Sequence, residues 1–208
     1  PVQEFMLLPV GAKTFAEAMR IGSEVYHHLK KIIKKEYGQD AVNVGDEGGF
    51  APSVQESKQC LKLIMDAVEA AGYKDKIILG TDAAASEFCT KDKDKNEFSY
   101  NLNKWVDGDE GKECVDSEGL SKFYKDLVDN FPLQSIEDGH DEDDWKGWGG
   151  LSKDIGDKIQ LVGDDLLVTN PTRIKKAIEE KACNALLLKV NQIGSLSEAI
   201  EAVKIAKQ

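Results

Sequence analysis

The sequence predicts an α/β fold with a parallel sheet covered by helices, either a barrel or a doubly wound sheet. Three observations carry that expectation. Short β-rich runs alternate with helical periods at roughly 25 to 30 residues per unit. In the longer segments, apolar residues recur at three- and four-residue intervals, the spacing of one helix face. Four of the β-rich runs end in an ionisable residue, and an α/β fold places its sites at the carboxyl ends of strands.

The elements follow in order. A hydrophobic stretch at 5–10 ends at Gly11, and Phe15, Ala18, Ile21, Val25, Leu29 and Ile32 then mark a long amphipathic helix. Thr14 with Glu17 offers a capping box at its start, and Gly38 after a lysine-rich turn offers a stop. A second helix is expected to be capped by Ser53 and Glu56, lined by Leu61, Ile64, Met65, Val68 and Ala71, and closed by Gly72. Ile77-Ile78-Leu79 reads as a strand. The polar segment 91–116 breaks the rhythm and is expected to be an excursion with a small hairpin through 98–102. A helix carrying Leu120, Phe123, Tyr124, Leu127 and Val128 precedes a strand at 133–136. A short helix at 145–151, anchored by Trp145 and Trp148, leads to a strand at 159–162. Asn170 caps a helix at 171–181 with Pro171 in its first position, where the missing N–H costs nothing. A strand at 185–190 follows, and Ser195 with Glu198 caps a last helix through Ile200 and Val203.

Composition narrows the function classes. The chain has 208 residues, 41% hydrophobic and 31% charged, which is globular and large enough for a substantial core. A formal charge of −11 disfavours nucleic acid and anionic lipid, both of which need a basic face. The longest apolar runs fall far short of the roughly 20 residues of a bilayer span, and the first residues carry no signal-peptide pattern. Cys60, Cys89, Cys114 and Cys183 are dispersed without a C-x-x-C pair, which points to thiols in a reducing compartment.

The candidate chemistry lies just after the strands. Ile77-Ile78-Leu79-Gly80-Thr81 leads to Asp82, Leu133-Gln134-Ser135-Ile136 to Glu137, Leu161-Val162-Gly163 to Asp164, and Ala185-Leu186-Leu187-Leu188 to Lys189. Three carboxylates converging on one end of a sheet repel one another, and a hard divalent cation relieves that repulsion; an oxygen-only donor set favours Mg²⁺ over zinc. Asp138 and Asp165 flank two of these acids, and the residues alone do not choose within each pair. Beside a dication an ammonium is disfavoured, so the pKa of Lys189 is expected to fall toward that of a usable base. Gly45-Asp46-Glu47-Gly48-Gly49 lacks the Lys and Ser/Thr of a phosphate-binding loop and reads as a turn displaying Glu47. His27 and His28 lie on a helix, and the acidic stretch 137–144, which includes His140, is expected to be a hydrated loop apart from its first residue.

Several ordered blocks across the chain resemble the enolase family. They are Gln3-Glu4-Phe5-Met6, Gly11-Ala12-Lys13-Thr14-Phe15, Asn43-Val44-Gly45-Asp46-Glu47-Gly48-Gly49, Ser86-Glu87-Phe88, Ser135-Ile136-Glu137-Asp138, Gly163-Asp164-Asp165-Leu166 and Leu188-Lys189-Val190-Asn191-Gln192-Ile193-Gly194. The resemblance implies a partial TIM-type (β/α)₈ barrel with about five of eight strands, so that residues 1–208 form an incomplete C-terminal barrel domain of a longer protein. It implies a Mg²⁺-dependent lyase of glycolysis that dehydrates 2-phosphoglycerate to phosphoenolpyruvate, cytoplasmic and homodimeric at full length. Carried over by position, Asp82, Glu137 and Asp164 become the metal ligands, which selects Asp164 over Asp165. Lys189 becomes the base at carbon 2, with a Mg²⁺-stabilised aci-carboxylate intermediate, as the enolase superfamily is described. Glu47, assisted by Glu4, becomes the acid for the leaving hydroxyl, a role that burial of Glu47 among other acids would favour. Gln3, Glu4, Glu137, Asp164 and Lys189 would line the substrate. The segment alone is expected to be inactive, because the family's phosphate-binding residues fall outside it. The Gly139-His140 pair replaces a common Pro-Phe or Pro-Tyr, which bears on loop geometry rather than on a ligand. Another acid–sugar dehydratase or racemase, or a non-catalytic binding relative, would share fewer of these blocks.

Overall fold

The computed structural model describes residues 2–92, 94–106, 108, 111 and 113–208. The chain divides into two compact units, Glu4–Gly80 and a second comprising Pro1–Gln3 with Thr81–Gln208. Among the described residues, no helix is long and apolar enough to cross a membrane.

The first unit begins with strand β1 (Glu4–Leu8) and the long helix α1 (Phe15–Tyr37). Thr14 caps α1 by accepting the Glu17 N–H at 3.1 Å, while Glu17 reaches back to the Lys13 N–H at 2.9 Å. Gly38 ends the helix with φ +93°, a conformation that a side chain would strain. Helix α2 (Ser57–Ala70) packs against α1 through its apolar face, where Leu61, Ile64, Ala67 and Val68 are buried. The sequence placed its cap at Ser53, yet Glu56 is the capping position and supplies no side-chain bond. Glu56 is extended (φ −102°, ψ 129°), which delays the helix to Ser57. Strand β2 (Ile78–Asp82) carries the chain into the second unit.

The polar excursion is a larger ribbon than the expected hairpin. Strands β3 (Cys89–Asp92) and β4 (Glu97–Asn101) pair antiparallel, and β5 (Cys114–Val115) extends the ribbon on β4. Positions 93, 107, 109, 110 and 112 of the excursion lie outside the described residues. The βα rhythm then resumes through α3 (Ser117–Asn130), β6 (Leu133–Glu137), α4 (Trp145–Ile155), β7 (Gln160–Gly163) and α5 (Pro171–Glu180). Strands β6, β7 and β8 (Ala185–Leu186) are parallel, with Ser135 opposite Gln160 and Val162 opposite Ala185. The expected strand at 185–190 therefore stops after two residues, and a short helix α6 (Val190–Ile193) begins immediately after Lys189. Helix α7 (Leu196–Ala206) is capped by Ser195, whose hydroxyl accepts the Glu198 N–H.

Trp148, Leu166, Leu167, Ile174, Ala177, Ala182, Ala202 and Ile205 form one buried cluster beneath α4, α5 and α7, with Trp145 packed on its margin. Full burial of each large apolar side chain contributes about 1.5–3 kcal/mol. The acidic stretch after β6 is only partly the expected hydrated loop: Glu142 and Asp143 are exposed, but three of its polar residues are buried. Asp138, His140 and Asp144 are 3%, 1% and 2% exposed. Asp144 caps α4 through the Gly147 N–H and accepts the Tyr100 hydroxyl at 2.8 Å and the Ser117 hydroxyl at 2.5 Å. Tyr100, from the ribbon, also accepts the Asp141 N–H at 3.1 Å. Buried polar atoms that gain partners in this way escape the penalty of lost hydration.

Candidate metal and proton-transfer site

The site of the second unit grows from the ends of β2, β6 and β7. Asp82, at the end of β2, accepts the Ala84 N–H at 2.9 Å, which turns the chain through the left-handed conformation of Ala84 (φ +46°). The next amides tie that turn to β6: Ala83 N–H donates to the Glu137 carbonyl at 2.9 Å and Ala85 N–H to the Asp138 carbonyl at 3.0 Å. Asp138 is itself left-handed (φ +43°), and its amide donates to the Val162 carbonyl of β7 at 3.1 Å. Its carboxylate accepts the N–H groups of Asp164 and Asp165 at 3.0 and 2.9 Å.

Asp164 is buried and receives two side chains. Lys189 Nζ lies 2.5 Å from Oδ2, and Gln192 Nε2 donates to Oδ1 at 2.6 Å. Thr169 completes the arrangement, accepting the Lys189 backbone N–H at 2.8 Å and donating to Gln192 Oε1 at 3.3 Å. Val168 and Thr169 are consecutive β-branched residues at φ +42° and +54°. Such residues are strained in this region, at a cost of order 1–3 kcal/mol each.

The acids form two overlapping groups. Asp82, Glu137 and Asp138 can bring one oxygen each within 4.8 Å of one another, and so can Asp138, Asp164 and Asp165. Their proximity under burial favours the neutral forms. Burial, and then Asp82 and Asp138, push Glu137 up to about 7. Burial pushes Asp138 up to about 7 against the lowering effect of its two backbone hydrogen bonds, with Asp165 and Asp82 adding to the rise. Burial likewise raises Asp82 and Asp165. A crowded set of oxygen donors whose burial and mutual repulsion disfavour the charged forms fits a hard divalent cation.

The hydrogen bond of Lys189 to Asp164 holds its ammonium above the usual lysine range. The side chain is 44% exposed and reaches the Asp164 carboxylate, a neighbour that favours the charged form. Gln3 is exposed and joins β2 by donating its backbone N–H to the Asp82 carbonyl at 3.0 Å. Glu4 and Glu47 belong to the first unit. Glu4 opens β1 half-buried. Glu47 is exposed on a turn in which Gly48 N–H donates to the Gly45 carbonyl at 2.9 Å, so the expected burial among other acids is not found. The sequence left Asp138 open as an alternative to Glu137, and its bonds to the amides of Asp164 and Asp165 give it a separate part. Thr169 and Gln192 escaped the sequence reading as functional groups, although Gln192 lies three residues beyond Lys189 at helical spacing.

The chain matches the family model described as "Enolase, C-terminal TIM barrel domain" over residues 1–208. It is 57% identical over 207 residues to a protein named Enolase from Solanum lycopersicum, covering 100% of this chain and 46% of that protein. It is 56% identical to one named Enolase 2 from Hevea brasiliensis, covering 100% of this chain and 45% of that protein. The chain thus spans a little under half the length of these curated relatives. Of the two architectures the sequence left open, the family match decides for the barrel. Strand ends bearing carboxylates, a lysine paired with one of them and a match along the whole chain together assign this chain to the enolase family, in its C-terminal TIM-barrel domain.

Proposed function

We propose that residues 1–208 are part of the barrel of a longer enolase that dehydrates 2-phosphoglycerate to phosphoenolpyruvate, and reverses that reaction in gluconeogenesis. The observation that carries this reading is Lys189 Nζ held 2.5 Å from Asp164, whose acidic group shares Asp138 with the group of Asp82 and Glu137. Asp82, Glu137 and Asp164 would hold Mg²⁺. When bound, the ion supplies fixed positive charge to the substrate carboxylate, the main source of stabilisation when the adjacent proton leaves.

The residues do the rest. Lys189, in its neutral form, takes the proton from carbon 2, and Asp164, its hydrogen-bond partner, holds the side chain at the site. The electron pair left behind forms the bond between carbons 2 and 3 as the 3-hydroxyl departs. Glu47, assisted by Glu4, donates the proton that makes it water. Gln3 belongs to the polar lining, with Glu137, Asp164 and Lys189 around the substrate.

Leu188, Val190, Leu196 and Ile200 are exposed near β8 and α7, which supports further barrel elements covering them in the complete protein. On this reading the 208-residue segment alone is inactive. The cytoplasmic, homodimeric enzyme belongs to the same proposal and rests on the likeness to enolases. The test follows phosphoenolpyruvate by its ultraviolet absorbance, with and without Mg²⁺, in the full-length protein and in this segment. Activity in the parent that vanishes with Lys189→Ala and is absent from the segment is the expected result. An inactive parent with its metal bound would sink the assignment.

A further inference from the structure

Asp138 stands where the two acidic groups of the site overlap, yet its polar atoms are taken up by backbone. Its two carboxylate oxygens accept the N–H groups of Asp164 and Asp165, its amide donates to Val162 and its carbonyl accepts from Ala85. One residue thereby joins the turns after β2, β6 and β7, which carry Asp82, Glu137 and Asp164. We infer that Asp138 is a positioning residue, a latch that fixes the separation of those three turns, and not a ligand of the cation. The inference deepens the proposed function and rests on it.

Two features favour the latch. The left-handed backbone of Asp138 (φ +43°) departs from the extended path of β6, and its carboxylate bonds to the end of β7. The two residues it holds by their amides differ in use: Asp164 turns its carboxylate to Lys189 and Gln192, whereas Asp165 makes no such pair among the described hydrogen bonds. Fixing the amide of Asp164 fixes both a ligand and the partner of the base. Supporting groups that orient ligands alter metal affinity by 10- to 100-fold when removed.

A direct ligand role is the competing account, because the Asp138 oxygens lie within 4.8 Å of those of Asp82 and Glu137. Two variants in the full-length protein separate the accounts. Asp138→Gly keeps the left-handed turn without strain and deletes the carboxylate. Asp138→Asn tolerates the same turn but sets amide donors against N–H donors, and it serves if the glycine variant does not fold. The readouts are amide deuterium exchange at residues 162–167 in metal-free protein and Mn²⁺ binding by electron paramagnetic resonance. The latch expects exchange at least about tenfold faster and Mn²⁺ binding about tenfold or more weaker in both variants. Weaker Mn²⁺ binding with unchanged exchange would make Asp138 a ligand and overturn the inference. Faster exchange with unchanged Mn²⁺ binding would overturn it too, since the latch would then position nothing. Failure of the proposed function has a different signature, an unmutated parent that forms no phosphoenolpyruvate whatever these variants do to exchange.

Discussion

Replacing Thr169 by valine deletes one hydroxyl and keeps the shape. That hydroxyl accepts the Lys189 N–H at 2.8 Å and donates to Gln192 Oε1 at 3.3 Å, in a residue that is 0% exposed. The hydrogen bond to Gln192 is worth about 0.5–1.5 kcal/mol, and the part-buried Lys189 N–H left without its acceptor costs about 1 kcal/mol, the low end of the range for such a group. Together, Thr169→Val should lose about 1.5–2.5 kcal/mol of stability. Valine retains the β-branch at φ +54°, so the difference isolates the hydroxyl from the backbone strain. Thr169→Ser is the control, keeping the hydroxyl while easing the branch. If about 1–2 kcal/mol of the loss falls on the placement of Lys189 in the transition state, kcat drops by roughly 5- to 30-fold. The assays are denaturant unfolding and the absorbance assay for phosphoenolpyruvate on the full-length protein. A valine variant within about 0.5 kcal/mol of the parent, with kcat unchanged, would refute the reasoning.

The carboxylate cluster also makes stability depend on pH. Glu137 and Asp138 are each raised to about 7, so the folded protein holds protons that the unfolded chain releases at ordinary carboxyl values. Their contribution is fully present below the unfolded values and is lost as pH rises through about 7. Thermal scans of metal-free protein should therefore show this contribution declining from about pH 5 to pH 8, with a shallower decline in Glu137→Gln. Added Mg²⁺ should restore stability most at the upper end, where the ligands are ionised; a restoration that weakens as pH rises would contradict this account. A structural prediction concerns Asn184, whose side chain accepts the Leu161 N–H at 2.7 Å and donates to the carbonyls of Gly156 and Ile159 at 3.0 and 2.9 Å. Asn184→Ala should cost about 2–4 kcal/mol by denaturant midpoint and leave kcat near that of the parent below its melting range.

Strand ends proved the most legible part of the site. An apolar run stopping at an acid marked Asp82, Glu137 and Asp164, because the run is the core-facing strand and the acid is where it leaves the core. The same rule placed Lys189 at a strand end, whereas the sheet stops at Leu186. Leu187 still donates its N–H to the Gly163 carbonyl of β7 at 3.1 Å, but with Leu188 it prolongs the apolar run beyond the strand, so hydrophobicity could not mark the boundary. Thr14, Asn170 and Ser195 were readable as caps because a cap bonds to an amide two or three residues away. Asp138 was read only as an alternative to Glu137; its bonding was not readable, since its partners lie at Asp164 and Asp165 and its turn has a positive φ. Asp144 was hidden for a similar reason: the hydroxyl that permits its burial arrives from Tyr100, 44 residues earlier in the chain.

That hydroxyl changes what the ribbon formed by β3, β4 and β5 means for anyone trimming the barrel. Judged by its polar sequence, the ribbon looks dispensable, a surface insertion to be replaced by a short linker. Tyr100 makes it a plug, because its hydroxyl completes the solvation of a carboxyl group inside the domain. A minimised barrel that loses the ribbon must also replace Asp144 and recap α4, or it will bury a carboxyl group with one donor fewer and leave the Asp141 amide without its acceptor.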